Sequence, residues 1–188
     1  MIIVFARAPV PGRAKTRLIP RLGAWGAAQL QARLTRAALR TAHDARCGPV
    51  ELHVTARHAS FKGDVHLQRG TDLGERMRRA FSVALRRHRP VILIGADCPA
   101  LRTADLRRAH RLLRGACDVV LAPAEDGGYA LIGLKRVLPR IFEGIRWGEA
   151  GVYAATTAQL AGHRWRALRT VWDVDRPEDL DRLNSVLL

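Results

Sequence analysis

Apolar residues along this chain alternate between two periodicities. Ile2–Ala6 is an unbroken apolar run, the pattern of a strand buried on both faces. A loop punctuated by Pro and Gly, Arg7–Gly12, follows, and then Trp25–Ala45 places Leu30, Leu34, Ala37, Ala38 and Ala42 at helical spacing. Val50–Thr55 and Val65–Gln68 are short strand segments, and Leu73–Arg87 is a basic amphipathic helix. Pro90–Ile94 has the pattern of a central buried strand, with a helix expected from about Thr103 to Arg114. Val119–Ala122 and Tyr129–Leu134 are strands separated by an Asp-Gly-Gly turn, a hairpin signal. Ala150–Leu160 is expected to be helical and Trp165–Trp172 to form a late strand. Asp175 is placed to cap a final helix, with Glu178 three residues on and Pro177 in the first turn. There is no internal repeat or linker, so the order of elements predicts one three-layer α/β domain, residues 1–188, around a mostly parallel sheet.

In an open parallel sheet, ligands gather outside the carboxyl ends of the strands. Four segments rich in Gly, Pro or Asp fall there: Arg7–Arg17, Gly95–Pro99, Glu125–Gly128 and Asp173–Asp175. The first fails as a Walker loop, because Pro9 and Ala14 stand at the two glycine positions that Lys15-Thr16 would require. It still offers backbone N–H groups near Gly12 beside Arg13, Lys15 and Arg17, a set suited to a polyphosphate, although a basic surface loop has the same composition. Asp97 follows four apolar residues and fits a cap, a buried acceptor or a hard-metal ligand. Asp173 and Asp175 share one face of an extended backbone. Asp126-Gly127-Gly128 is either a plain turn or a loop that a substrate approaches closely.

Composition narrows this only modestly. Hydrophobic residues make up 48% and charged residues 26%, which excludes general disorder. No apolar run approaches the roughly 20 residues of a membrane helix, and the N-terminal run lacks the basic region of a signal peptide, so a cytoplasmic protein is expected. Cys47, Cys98 and Cys117 have neither disulfide-framework nor zinc-finger spacing and are expected to be reduced structural thiols. The net charge of +15 favours phosphate in some form, and a basic nucleic-acid-binding module is the rival reading. Aromatics, however, are only 5%, poor material for stacking bases, and arginines such as Arg76, Arg79, Arg86, Arg107 and Arg111 are spread over helix faces. The seven histidines show no metal-binding spacing, and there is neither a G-x-S-x-G elbow nor a G-x-G-x-x-G after a strand.

Taken together, F-A-R-A-P-V-P-G-R-A-K-T-R-L (Phe5–Leu18), D-L-G-E-R-M (Asp72–Met77), I-G-A-D-C-P-A-L (Ile94–Leu101), P-A-E-D-G-G-Y-A-L-I-G-L (Pro123–Leu134), F-E-G-I-R-W-G (Phe142–Gly148) and D-V-D-R-P-E-D-L (Asp173–Leu180) resemble one family. It is that of the small bacterial GT-A-type nucleotide-diphospho-sugar transferase-like proteins, distant relatives of the molybdenum-cofactor and 2-phospho-lactate guanylyltransferases. The resemblance spans nearly the whole chain. It departs at Glu149 and Arg176, where the family usually carries Thr. It implies a Rossmann-like GT-A fold and a transferase acting on a nucleotide or nucleotide-sugar and a small-molecule acceptor. It further implies Mg²⁺, with Mn²⁺ as a substitute, and neither specific nucleic-acid binding nor membrane insertion. Carried over by position, Ala6, Arg7, Gly12, Lys15, Arg17, Gln68 and Gly95 would contact the nucleotide, with Lys15, Arg17 and Asp97 catalytic. Asp97 and Asp175 would hold the metal, with Asp173 in reserve, and Asp126, Gly127, Gly128, Tyr129 and Trp147 would face the acceptor.

Overall fold

The computed structural model describes residues 1–183. Seven strands, β1 (Ile2–Ala6), β2 (Val50–Val54), β3 (Val65–Leu67), β4 (Val91–Gly95), β5 (Val119–Pro123), β6 (Tyr129–Leu134) and β7 (Trp165–Ala167), form one sheet. Their order is β3-β2-β1-β4-β6-β5-β7. Only β6 runs antiparallel to its neighbours, β4 and β5. The helices are α1 (Ile19–Ala45), α2 (Leu73–Ala84), α3 (Thr103–Arg114), α4 (Val152–Ala158) and α5 (Asp179–Leu183).

The continuous apolar strands are buried on both faces because helices cover both. Ile2, Val4 and Ala6 of β1 pack with Ala42 of α1 and Leu106, Ala109 and Leu113 of α3. The alternate residues Ile3 and Phe5 pack on the other side with Met77, Ala80 and Phe81 of α2. A third cluster, Leu18, Leu30, Leu34, Val174 and Leu183, fastens the first loop and the last described segment to α1. That cluster holds the end of the first loop and the segment around Val174 against the same helix.

The hairpin after Val119–Ala122 forms as expected, and its reversal carries Tyr129 back to the edge where β1 and β4 end. Three expectations are corrected. Helix α1 begins at Ile19, but Gly23 (φ 68°) breaks it, so the regular part starts near the expected position. The late strand pairs only over Trp165–Ala167; beyond it a single bridge, Ala124 to Val171, continues the contact. Asp175 does not cap the final helix. The side chain of Asp179 accepts the N–H groups of Asp175 (2.9 Å) and Arg176 (2.7 Å) instead, freeing Asp175 for the pocket described next.

Candidate active site

The four carboxyl-edge segments converge on one cleft of about 710 Å³, within the roughly 300–1,000 Å³ usual for small-molecule sites. Ala6, Arg7 and Arg17 line it from the first loop, Gly95 and Asp97 from the end of β4, and Gln68 from the end of β3. Asp126, Gly128, Tyr129 and Trp147 form the opposite wall, and Asp173 and Asp175 complete the rim. Gly12, Lys15 and Gly127 are not among its lining residues; Lys15 is buried, while Gly12 is exposed.

Lys15 adopts a left-handed conformation (φ 49°), which turns its side chain inward. The Nζ atom lies 2.9 Å from Asp97 Oδ2, and the side chain is only 4% exposed. It also donates to the carbonyl of Val174. Two further bonds tie the same strands together: Val174 N–H donates to the Asp97 carbonyl at 2.9 Å, and the Cys98 thiol donates to the Trp172 carbonyl at 2.9 Å. Burial pushes the Cys98 thiol up to about 12, so it stays a protonated donor. The segment Trp172–Asp175 is therefore laid along the end of β4, with Val174 buried and the aspartates on either side of it lining the cleft.

Arg17 faces the cleft with its guanidinium paired to Asp175, both side chains well exposed. Exposed pairs of this kind contribute little and are readily exchanged. Asp173 is more constrained. Burial first, and then the neighbouring Asp126, raise its carboxyl to about 6; Lys15 opposes this and Asp97 adds to it. Asp97, Asp126 and Asp173 thus form a carboxylate cluster, with burial the larger cause of the Asp173 shift and the neighbouring carboxylates a lesser one.

The opposite wall depends on two close approaches. Asp126 Oδ1 accepts the Gly128 N–H at 2.8 Å, so the Asp-Gly-Gly segment is a side-chain-closed turn. At Gly127 (φ 89°), a Cβ would sit 3.0 Å from Gly151 N, which explains the glycine by packing against the chain itself. At Gly74, a Cβ would lie 2.4 Å from the indole nitrogen of Trp147. The first turn of α2 therefore rests directly on that indole, which in turn meets Tyr129 edge-on with ring centroids 6.4 Å apart.

Several lining residues escaped the sequence reading. Arg76, assigned to a solvated helix face, lines the cleft and donates to the Gly70 carbonyl at 3.0 Å. Its place in D-L-G-E-R-M was the available signal. Glu149 and Arg176, the two departures from the resembling family, both line the cleft as well. The Gln68 amide donates to the carbonyls of Ala6 (3.1 Å) and His53 (2.9 Å), fixing the outer end of the site.

A bacterial family profile, described as "Uncharacterized protein conserved in bacteria (DUF2064)", matches residues 27–149. No curated protein matches the chain. Among solved structures, a "putative nucleotide-diphospho-sugar transferase" from Desulfovibrio desulfuricans G20 is similar with a TM-score of 0.89 and 31% identity, over 97% of this chain and 84% of that one. Rv0371c from Mycobacterium tuberculosis H37Rv, solved as a manganese complex, is similar with a TM-score of 0.62 and 21% identity, over 99% of each chain. CMP:2-keto-3-deoxy-manno-octonic acid synthetase, solved with CTP, aligns over 100% of this chain and 97% of its own with a TM-score of 0.62 and 14% identity. The seven-stranded, mostly parallel sheet is therefore that of the nucleotide-diphospho-sugar transferase and cytidylyltransferase fold. Among the described residues no helix is long and apolar enough to cross a membrane.

Proposed function

Since the chain belongs to the DUF2064 family of bacterial proteins, we propose that it is a transferase drawing a nucleotidyl or glycosyl group from a nucleoside triphosphate or nucleotide-sugar. One observation carries this reading: the cleft combines a carboxylate cluster with four arginines, Arg7, Arg17, Arg76 and Arg176. A phosphorylated donor with a divalent cation satisfies both signs at once, whereas a nucleic-acid groove has no need of the acidic half.

The oxygen-only donor set of the carboxylate cluster fits Mg²⁺, or Mn²⁺ in its place. Asp97 is the first ligand in this proposal. Asp175 supplies the second if Arg17 leaves it for the donor phosphates, and Asp173, which lines the same cleft, is the alternative. Such an ion would neutralise charge developing on phosphate oxygens. Arg7 and Arg17 would bind those phosphates directly. Lys15 would act from behind, orienting Asp97 and offsetting its charge. Ala6, Gln68 and Gly95 would border the nucleoside, while Asp126, Gly128, Tyr129 and Trp147 would border a small-molecule acceptor, with Gly12 and Gly127 shaping their loops.

In nucleotidyl transfer an acceptor oxygen attacks the α-phosphorus, a P–O bond forms, and the bond to pyrophosphate breaks. In glycosyl transfer the acceptor oxygen attacks the anomeric carbon, and the nucleoside diphosphate leaves. Both need positioned cations and no protein nucleophile. Phosphorus NMR of the protein with Mg²⁺, candidate donors and phosphorylated or hydroxylated acceptors separates them: pyrophosphate marks the first, nucleoside diphosphate the second. Donors that remain intact with every acceptor class, while the protein stays folded, would count against the reading.

A further inference from the structure

Away from the carboxylate cluster, on the face of the sheet that α2 covers, Glu51 and His53 project from β2 and His66 from β3. Their potential ligand atoms, one carboxylate oxygen and two imidazole nitrogens, all lie within 4.8 Å of one another. Glu51 Oε2 is 3.0 Å from His53 Nε2 and 3.8 Å from His66 Nε2, and His66 Nε2 is 3.2 Å from Asp64 Oδ1. Ligands about 2.0–2.1 Å from one tetrahedral ion stand roughly 3.3 Å apart, close to the Glu51–His53 and Glu51–His66 spacings, whereas Asp64 approaches His66 from outside this three-residue group.

We propose that Glu51, His53 and His66, with water as the fourth ligand, form a site for one borderline divalent cation of the Zn²⁺ class, separate from the hard-metal site proposed in the cleft. The imidazole ligands decide the class, since Mg²⁺ prefers an all-oxygen octahedron and Zn²⁺ accepts mixed nitrogen and oxygen ligands in a tetrahedron. Hydrogen bonding accounts for Glu51 and His53, whose Oε2 and Nε2 atoms are 3.0 Å apart, but not for His66. His66 Nε2 is buried without a hydrogen-bond partner, although carboxylate oxygens stand on two sides of it. Both Glu51 and His53 are buried, which holds these ligands without large side-chain freedom.

The surroundings have the features that fix metal ligands. Arg87 reaches the other oxygen of Glu51 at 3.0 Å and so orients its carboxylate. Phe5 stacks on the His53 ring, with centroids 5.6 Å apart. Asp64 is 82% exposed and His66 37%, which leaves an entry path for the ion. His53 and His66 are direct register partners across β2 and β3, so the ion would cross-link the short edge strand to the sheet. Gln68, one residue past β3, bonds the His53 carbonyl, so the clip would steady the outer end of the cleft.

Calorimetric titration of chelator-stripped protein with Zn²⁺, without nucleotide, tests the site, and Co²⁺ substitution reports its geometry. One ion per chain and the intense visible absorption of tetrahedral Co²⁺ are expected. His66→Gln, at a partly exposed edge position, should keep its far-ultraviolet circular dichroism and lose at least about 10- to 100-fold in Zn²⁺ affinity. Glu51→Gln should do the same, and Asp97→Asn should leave Zn²⁺ affinity within about twofold. Equal Zn²⁺ affinity in wild type and both edge variants overturns the proposal, as does an octahedral Co²⁺ spectrum. None of these readouts depends on nucleotide transfer.

Discussion

Two clusters of titratable side chains flank Phe5, which lines the cleft and also stacks on His53. They are built differently. Asp97, Asp126 and Asp173 come from segments beyond strand ends, and they border an open cleft crossed by arginines. Glu51, His53 and His66 come from within paired strands and converge beneath the surface. Strand-end loops can present charge to a ligand without burying it in the core, so the first cluster suits a substrate that comes and goes. Groups inside strands are held by the ladder and by packing, which suits a resident ion. Their chemistry follows the same division, hard oxygen in the cleft and mixed nitrogen and oxygen at the edge.

The sharpest way to separate the two is Asp97→Asn. Removing a preorganised charge from a phosphate-transfer site typically costs about 10²–10³-fold in rate, and Mg²⁺-dependent turnover should fall by at least that much while edge-site Zn²⁺ binding persists. Lys15 would lose its anionic partner, so a lower Tm is also expected, and assays belong at a temperature where the variant is folded. Parallel loss of both metals would merge the clusters into one system.

Arg17→Ala comes next. A charge-assisted contact contributes about 1.5–3 kcal/mol, so donor affinity measured by calorimetry should fall roughly 10- to 150-fold, with little change in Tm because the pair to Asp175 is exposed. Unchanged affinity would take the first loop out of the phosphate site.

Gly74→Ala strains the wall that the cleft shares with α2. The added methyl meets the Trp147 indole at 2.4–2.6 Å, and overpacking of this kind costs about 1–3 kcal/mol. Urea unfolding should show that loss, and Zn²⁺ affinity should not move. No loss would mean that Trp147 swings aside freely.

The smallest effect is expected at Asp173. Its folded carboxyl, at about 6, is raised above the ordinary value near 3.8, so the folded state binds a proton more tightly than the unfolded state. The ionised form therefore destabilises the fold above about pH 6, and this cost disappears as pH falls below 3.8. Without divalent ions, Asp173→Asn should raise Tm at pH 7.5 by about 2–4 °C per kcal/mol relieved, with the gain shrinking toward pH 4. A gain that is the same at both pH values would contradict a raised Asp173 carboxyl in the folded state.

The legibility of these features in the sequence follows their locality. The β1 run, the β5–β6 hairpin and the α3 boundaries are set by nearest-neighbour patterning, and each stands where the sequence placed it. The convergence of four loops followed from the sheet rule alone. The pairing of Lys15 with Asp97 was not legible, because composition does not show the left-handed backbone that sets its ammonium against that carboxylate. The α5 cap differs from expectation because Asp175 and Asp179 offer the same chemistry four residues apart, and it is Asp179 that accepts the Asp175 and Arg176 N–H groups. His53 and His66 lacked any spacing signature because their proximity is a register relation between parallel strands joined by an irregular loop.

The central claim, that the cleft receives a phosphorylated nucleotide donor together with a hard divalent cation, is tested most directly by thermal unfolding. Wild type would be screened against nucleoside triphosphates and nucleotide-sugars, with and without Mg²⁺. The account predicts saturable stabilisation by at least one donor, rising by RT ln(1 + [L]/Kd) with its concentration, dependent on Mg²⁺ and lost in Asp97→Asn. Stabilisation by no donor, together with salt-sensitive, Mg²⁺-independent binding of DNA or RNA, would contradict it.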